Sequence, residues 1–139
     1  MPSTDEVKQF NQSLIAEFRA HNGEVSGWHS LLLLTTIGAR SGQLHTTPLM
    51  YSTDGERIIV IAAHSGAPKH PAWYHNLVAN PEVTVELGRE RFRMRAVVAA
   101  GKERERLFNQ HAEKAPWTVE FQAKTTRELP VVVLERGDS

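Results

Sequence analysis

Three histidines, a lysine, two prolines and an adjacent tryptophan and tyrosine fall within thirteen residues, His64 to Asn76, HSGAPKHPAWYHN. Side chains of these types, this close, suit three kinds of chemistry: ligation of a metal ion, acid–base catalysis, or a shaped wall for a bound ring. The spacing argues against the metal. His70 and His75 are five positions apart, about 500° around a helix at 100° per residue, so their rings diverge. No His-Glu-x-x-His helix and no cysteine is present to complete a ligand set. The expectation is that no metal binds here.

A second candidate lies upstream in Gly38-Ala39-Arg40-Ser41-Gly42. Glycines flanking an arginine and a serine let backbone N–H groups and a guanidinium converge on a phosphate. A glycine-rich hairpin turn with a solvated arginine accounts for the same residues equally well. Thr46 and Thr47, across that turn, can add hydroxyls, but neighbours on a strand point to opposite faces, so β-propensity alone explains at least one of them. The chain has no Gly-x-Gly-x-x-Gly, no Gly-x4-Gly-Lys-Ser/Thr and no Gly-x-Ser-x-Gly, which removes the usual support for a Rossmann site, a P-loop or a hydrolase elbow. Arg89, Arg91, Arg93 and Arg95 read as one face of a strand with Phe92 and Met94 on the other. No aromatic platform accompanies them, so a solvated strand face is preferred over nucleic-acid binding.

These residues must be positioned by a small set of elements. Residues 3–21 read as a helix, with Ser3 and Glu6 as a capping box and Val7, Phe10, Leu14 and Phe18 on one stripe. That stripe can dock on the body, on a second subunit or on a lipid surface. SLLLLTTIG reads as a buried strand, HTTPLMYS as a second, and RIIVIAA as a third after an Asp-Gly turn, together a meander. Pro71 opens a short helix, AWYHNLVA, that Asn80-Pro81 stops. VTVEL and RFRMRAVVA form a hairpin about Gly88 and Arg89, a helix follows over 102–113, a segment over 117–124, and PVVVLER is the last strand. Six strands without βαβ alternation predict an antiparallel, barrel-like sheet in an α+β domain.

Bulk properties narrow the partners. A chain of 139 residues suits one core. The expected organisation is a single domain over 1–139, with an amphipathic helix in 1–22 and the sheet body in 28–137. Sixteen basic and sixteen acidic residues cancel, so no global field attracts nucleic acid, and a small-molecule partner is expected. The absence of cysteine excludes disulfides and thiolate chemistry. No signal-peptide pattern opens the chain and no apolar run approaches the ~20 residues a bilayer requires, so the expectation is a cytoplasmic protein. Membrane contact is then confined to a peripheral role for the first helix, and the state to monomer or homodimer.

Taken in order, LLLLTTIGARSGQLHTTPLMY, DGERIIVIAAHSGAPKHPAWYHNLVANPEVTVELG and RELPVVVLER resemble the deazaflavin-dependent nitroreductase family, reductases that use coenzyme F420. The resemblance covers roughly 31–136 and implies a split β-barrel related to flavin mononucleotide oxidases. It implies that Arg40 and Ser41 hold the cofactor phosphate, and that Thr47, Pro48, Leu49, Met50 and Tyr51 run beside the deazaflavin. It further implies that Ala62, Ala63, His64, Gly66, Ala67, Pro68 and Lys69 wrap the ring and side chain, while Trp73, Asn76 and Leu77 fix it from the short helix. On that reading the histidine-rich stretch is a shaped wall.

The same resemblance implies a hydride transfer from reduced F420 to quinones, enones, unsaturated lactones or nitro compounds. The alternatives of the same fold are a flavin mononucleotide enzyme and a non-catalytic F420 carrier. Members that reduce nitroimidazoles have tyrosines before the last strand, where this chain has Ala115, Thr118 and Phe121 with Trp117 nearby. Trp117, Thr118 and Phe121 are the expected substrate pocket, and an apolar wall there favours flat, weakly polar acceptors. Catalysis is expected from positioning, with Tyr51, His64 and Tyr74 as candidate proton donors.

Overall fold

Seven strands form the sheet where six were expected, and the additional one arises from a break at Tyr51. The computed structural model describes residues 4–27 and 30–136. Its strands are β1 (Leu31–Ile37), β2 (Leu44–Met50), β3 (Ser52–Asp54), β4 (Arg57–Ile61), β5 (Glu82–Leu87), β6 (Glu90–Val98) and β7 (Val131–Arg136). They pair antiparallel in the order β2-β1-β5-β6-β7-β4-β3. The expected HTTPLMYS strand therefore serves two partners: β2 pairs with β1, and β3 pairs with β4. Apolar alternation reports that a segment is extended and not which neighbour it adopts, so the change of partner leaves no local mark.

β2 and β3 are the two edges of the sheet, yet one residue joins them. The sheet must curl until its edges meet at that residue, which produces a half-barrel. At the corner the Tyr51 N–H donates to the Ser30 carbonyl at 2.9 Å. Pro48 is tolerated because β2 is an edge strand, where a missing N–H costs no ladder bond on the open side.

Both faces of β1 are buried, which explains its unbroken apolar run. Leu32 and Leu34 join Val60, Ala62, Trp73, Leu77 and Val132 inside the curl. Leu31 and Leu33 face outward and receive Leu14 and Phe18 of α1 (Thr4–Ala20), with Val25 beside them. Arg19 adds a two-pronged bond to Glu86 at 3.1 and 2.9 Å. The helix thus spends Leu14 and Phe18 on the body, and the alternative of lipid contact loses the centre of its apolar stripe. The capping box on Ser3, and Val7 of the stripe, lie outside what is described. No helix among the described residues is long and apolar enough to cross a membrane.

α2 (Ala72–Ala79) covers one end of the curl with Trp73 and Leu77. α3 (Gly101–Lys114) lies on β4 and β7, burying Leu107 and Phe108 against Ile59, Val131 and Val133. A bond of 2.7 Å between Ser52 and His111 Nδ1, both buried, ties α3 to the start of β3. α4 (Trp117–Ala123) packs beside a 3-10 turn at His64–Gly66. The arginine row is a solvated strand face as expected for Arg91, Arg93 and Arg95, which are exposed and lie across from Glu86, Thr84 and Glu82. Arg89 belongs instead to the turn between β5 and β6.

Candidate functional site

The turn after β1 closes on itself through Gly38 N–H to the Gln43 carbonyl at 2.7 Å and Gly42 N–H to the Gly38 carbonyl at 3.0 Å. The Ser41 hydroxyl oxygen accepts from the Gln43 N–H at 3.1 Å, leaving its own hydrogen free to donate. A Cβ on Gly38 would stand 2.6 Å from Ser41 Oγ and 3.1 Å from both the Gln43 carbonyl and His45 Nε2. Three polar atoms therefore converge over a residue that must lack a side chain.

Asn76 fastens this turn to α2. Its buried amide donates from Nδ2 to Thr36 Oγ1 at 3.1 Å and accepts the Ala39 N–H on Oδ1 at 3.0 Å. Strand register then sets what faces the turn. His45 lies opposite Thr36 and Thr47 opposite Leu34, so both share the inner face with them. Thr46, opposite Thr35, exchanges a 2.7 Å hydroxyl bond with it on the outer face.

Between α1 and α2, across the β2 edge, runs a groove of about 990 Å³. One wall is Lys8, Asn11, Gln12 and Ile15, a stripe at helical spacing beside the stripe that docks α1. The floor is the 38–41 turn with His45, Thr46 and Thr47, and the far wall is Ala72, Trp73, His75 and Asn76. Among the described residues no carboxylate lines it, although the chain as a whole is neutral. Among the described residues neither Lys8 nor Arg40 has an ion-pair partner. The groove is therefore a local positive site able to hold an anionic ligand with a flat apolar part against Trp73 and Ile15.

A family model described as F420H(2)-dependent quinone reductase matches residues 11–136. The chain belongs to this family. An F420H(2)-dependent quinone reductase of Mycobacterium tuberculosis is 38% identical over 128 residues, which are 87% of this chain and 86% of that protein. Among solved structures, the F420-H2 dependent reductase FDR-A is 37% identical, with a TM-score of 0.71 over 78% of this chain and all of its own. A chain described as a domain-swapped dimer is 34% identical, with a TM-score of 0.73 over 95% of this chain and 98% of its own. The fold of this F420H(2)-dependent quinone reductase family member is the split β-barrel that the resemblance implied, with seven strands.

Of the residues singled out from the sequence, Arg40, Ser41, Thr47, Trp73 and Asn76 meet in the groove. Pro48, Leu49, Met50 and Tyr51 continue along the half-buried β2 edge beyond it. Leu77 is a core residue at 1% exposure. None of the three candidate proton donors lines the groove: Tyr51 and Tyr74 pack against the core, and exposed His64 bonds through Nδ1 to the Lys69 carbonyl at 3.2 Å. Of the expected substrate pocket, Thr118 is buried, Phe121 packs on the α3 side of the sheet, and exposed Trp117 stands apart from the groove.

The 62–70 segment has a holder that the sequence did not reveal. Arg127 donates to the carbonyls of Ala67 at 2.9 Å, Ala62 at 3.1 Å and Ala63 at 2.7 Å, and to His70 Nδ1 at 2.9 Å. His70 must accept there, so it is neutral, and burial, Arg127 and His75 all push its pKa down. Its ring meets Tyr74 in a tilted contact at 4.7 Å and His75 edge-on at 5.7 Å. Gly66 has φ +79°, and a Cβ there would stand 2.7 Å from the Phe121 carbonyl, so this glycine serves the approach of α4. Pro68 and Lys69 are exposed beside it. Among the described residues no group of three or more His, Cys, Asp or Glu is placed to hold a metal ion.

Sequence reasoning also missed Lys8, Asn11, Gln12, His45 and His75 as groove residues. For the helix residues a signal existed, since 8, 11, 12 and 15 form a stripe of their own. For His45 the parity with Thr47, two positions on, was the available cue.

Proposed function

We propose that this chain reduces quinones with reduced coenzyme F420. The observation supporting this most directly is the groove on the GARSG turn, lined by Lys8 and Arg40 and by no carboxylate among the described residues, in a chain of the F420H(2)-dependent quinone reductase family. The donor set suits such a cofactor: Arg40, the Ser41 hydroxyl and Lys8 match its phosphate and carboxylates. Trp73 and Ile15 offer apolar surface for its ring, with Thr47 on the strand between them.

When bound, reduced F420 supplies the hydride. The protein's part is to bind, orient and exclude water. Asn76 holds the phosphate turn against α2, so anion-binding and ring-binding residues keep a set spacing. Arg127 holds the 62–70 segment in one shape, and the proline-braced loop loses little entropy on binding. Thr47 to Tyr51 are read as running beside the deazaflavin, and Ala62 to Lys69 as wrapping its ring and side chain. The proton that completes quinone reduction is taken from water, since no candidate donor reaches the groove from 51, 64 or 74. The related domain-swapped dimer supports a homodimer as the working assembly.

Anaerobic mixing of the protein with reduced F420 and menadione tests the reading. Rapid, protein-dependent oxidation of F420 is expected, with flavin mononucleotide unable to replace it. Tight F420 binding without oxidation by any quinone identifies a carrier, and equal use of flavin mononucleotide identifies a flavin enzyme.

A further inference from the structure

We propose that α1 is exchanged between two copies of this chain, so that each groove takes its helical wall from the partner subunit. The related domain-swapped dimer raises the question of which element of this fold can be traded. Of the terminal elements, β7 lies between β6 and β4, and removing it would break two strand pairings. α1 lies outside the sheet and breaks none. Its hold on the body is compact: Leu14, Phe18 and, beyond the helix, Val25 sit on Leu31 and Leu33, and Arg19 bonds to Glu86. A second copy offers the same body surface, so exchange replaces each of these contacts with its equivalent.

The connection to the sheet favours the exchange. Val25 is buried with the helix, so the hinge is the five residues 26–30, of which 26, 27 and 30 are described. To fold α1 back on its own β1, Gly27 takes φ +84° and Ser30, a residue with a side chain, takes φ +54° immediately before the strand. A left-handed serine costs conformational energy that an extended hinge returns, and short hinges under such strain invite swapping. A Cβ built on Gly27 meets nothing within 4 Å, so no packing holds the turn there. Extended, five residues span about 17 Å, enough to carry α1 onto a neighbouring body. The consequence falls on the groove. Its floor and far wall, with Arg40, Trp73 and Asn76, belong to one copy, while the wall of Lys8, Asn11, Gln12 and Ile15 comes from the other. A copy with its helix displaced and no partner has a one-sided groove, so ligand binding and assembly are linked.

The inference rests on the proposed homodimer, and on the F420 reading for only one of its two readouts. The first readout needs no ligand. The chain has no cysteine, so Arg19→Cys combined with Glu86→Cys supplies the only thiols. A bismaleimide spanning the former Arg19–Glu86 bridge should join chain to chain, giving covalent dimers on a denaturing gel from a protein that light scattering finds dimeric. For the second readout, Lys8→Glu and Arg40→Glu, each expected to lose about tenfold or more in F420 affinity, are co-expressed in equal amounts. A mixed dimer with exchanged helices holds one groove with both substitutions and one with neither, so about a quarter of all grooves should recover wild-type affinity. Helices that stay on their own bodies leave one substitution in every groove, and no affinity returns. Chain-to-chain crosslinks in a protein that binds no F420 keep the exchange and remove the cofactor reading. Crosslinks confined to single chains, with no recovery in the mixture while the wild type binds F420, overturn the exchange and keep the cofactor reading. A protein that stays monomeric overturns the exchange together with the homodimer.

Discussion

Replacing Arg127 with methionine should loosen the 62–70 segment without unfolding the sheet. The guanidinium makes three bonds to carbonyls, of Ala62, Ala63 and Ala67, at 3.1, 2.7 and 2.9 Å, and one to His70 Nδ1 at 2.9 Å. The site is half-buried, so the freed carbonyls of Ala63 and Ala67 recover water, while that of Ala62, whose residue is fully buried, does not. Charged hydrogen bonds contribute about 1.5–3 kcal/mol each when buried, but partial solvation reduces the sum to about 3 kcal/mol, acting on the 62–70 segment. Within that segment the Gly66 N–H bonds to the Ala63 carbonyl and the Ala67 N–H to the His64 carbonyl, both at 2.9 Å. Hydrogen exchange at Gly66 and Ala67 should accelerate by about 100-fold, the factor that ~3 kcal/mol of local opening implies. Amides of β1 and β5, remote from the change, should exchange as before. Arg127→Lys restores the charge but not the planar fork, so it should recover only part of the protection. Unchanged exchange at Gly66 and Ala67 in the methionine variant would refute the clamp.

Three further outcomes follow from the same geometry. Burial lowers the His111 pKa to about 4, so the folded state binds fewer protons than the unfolded one and stability present above pH ~6.5 falls toward pH ~4, by about 3 kcal/mol at most. Urea unfolding of the wild type and His111→Gln at both ends should show a smaller acid loss in the variant. Gly66→Ala combines φ +79° with a 2.7 Å approach to the Phe121 carbonyl and should cost about 1–3 kcal/mol in chemical denaturation; a neutral effect would mean that α4 moves away freely. Arg40→Glu should weaken F420 binding by about 2–4 kcal/mol in a fluorescence titration, with wild-type affinity falling as salt rises. An unchanged dissociation constant in the folded variant would remove Arg40 from the site.

What the chain order alone determined was local. Helical spacing of Phe10, Leu14 and Phe18 marked α1, Pro71 and Asn80-Pro81 bracketed α2, and Gly88-Arg89 marked the β5–β6 turn within a residue of the observed bounds. The turn that carries Arg40 and Ser41 was legible from its glycines, which restrict the backbone directly, whereas Trp73 and Asn76, which line the groove with it, were named only through the family resemblance. Tertiary structure decided everything that required two distant segments to meet. The partner change at Tyr51, which makes seven strands and curls the sheet, depends on β3 finding β4 after β2 has found β1. The placing of Lys8 opposite the turn depends on where α1 docks, and Arg127, some sixty residues beyond the loop it holds, reaches that loop only once β7 has paired with β4. Such contacts are set by register and closure across the sheet, which no short window of residues encodes.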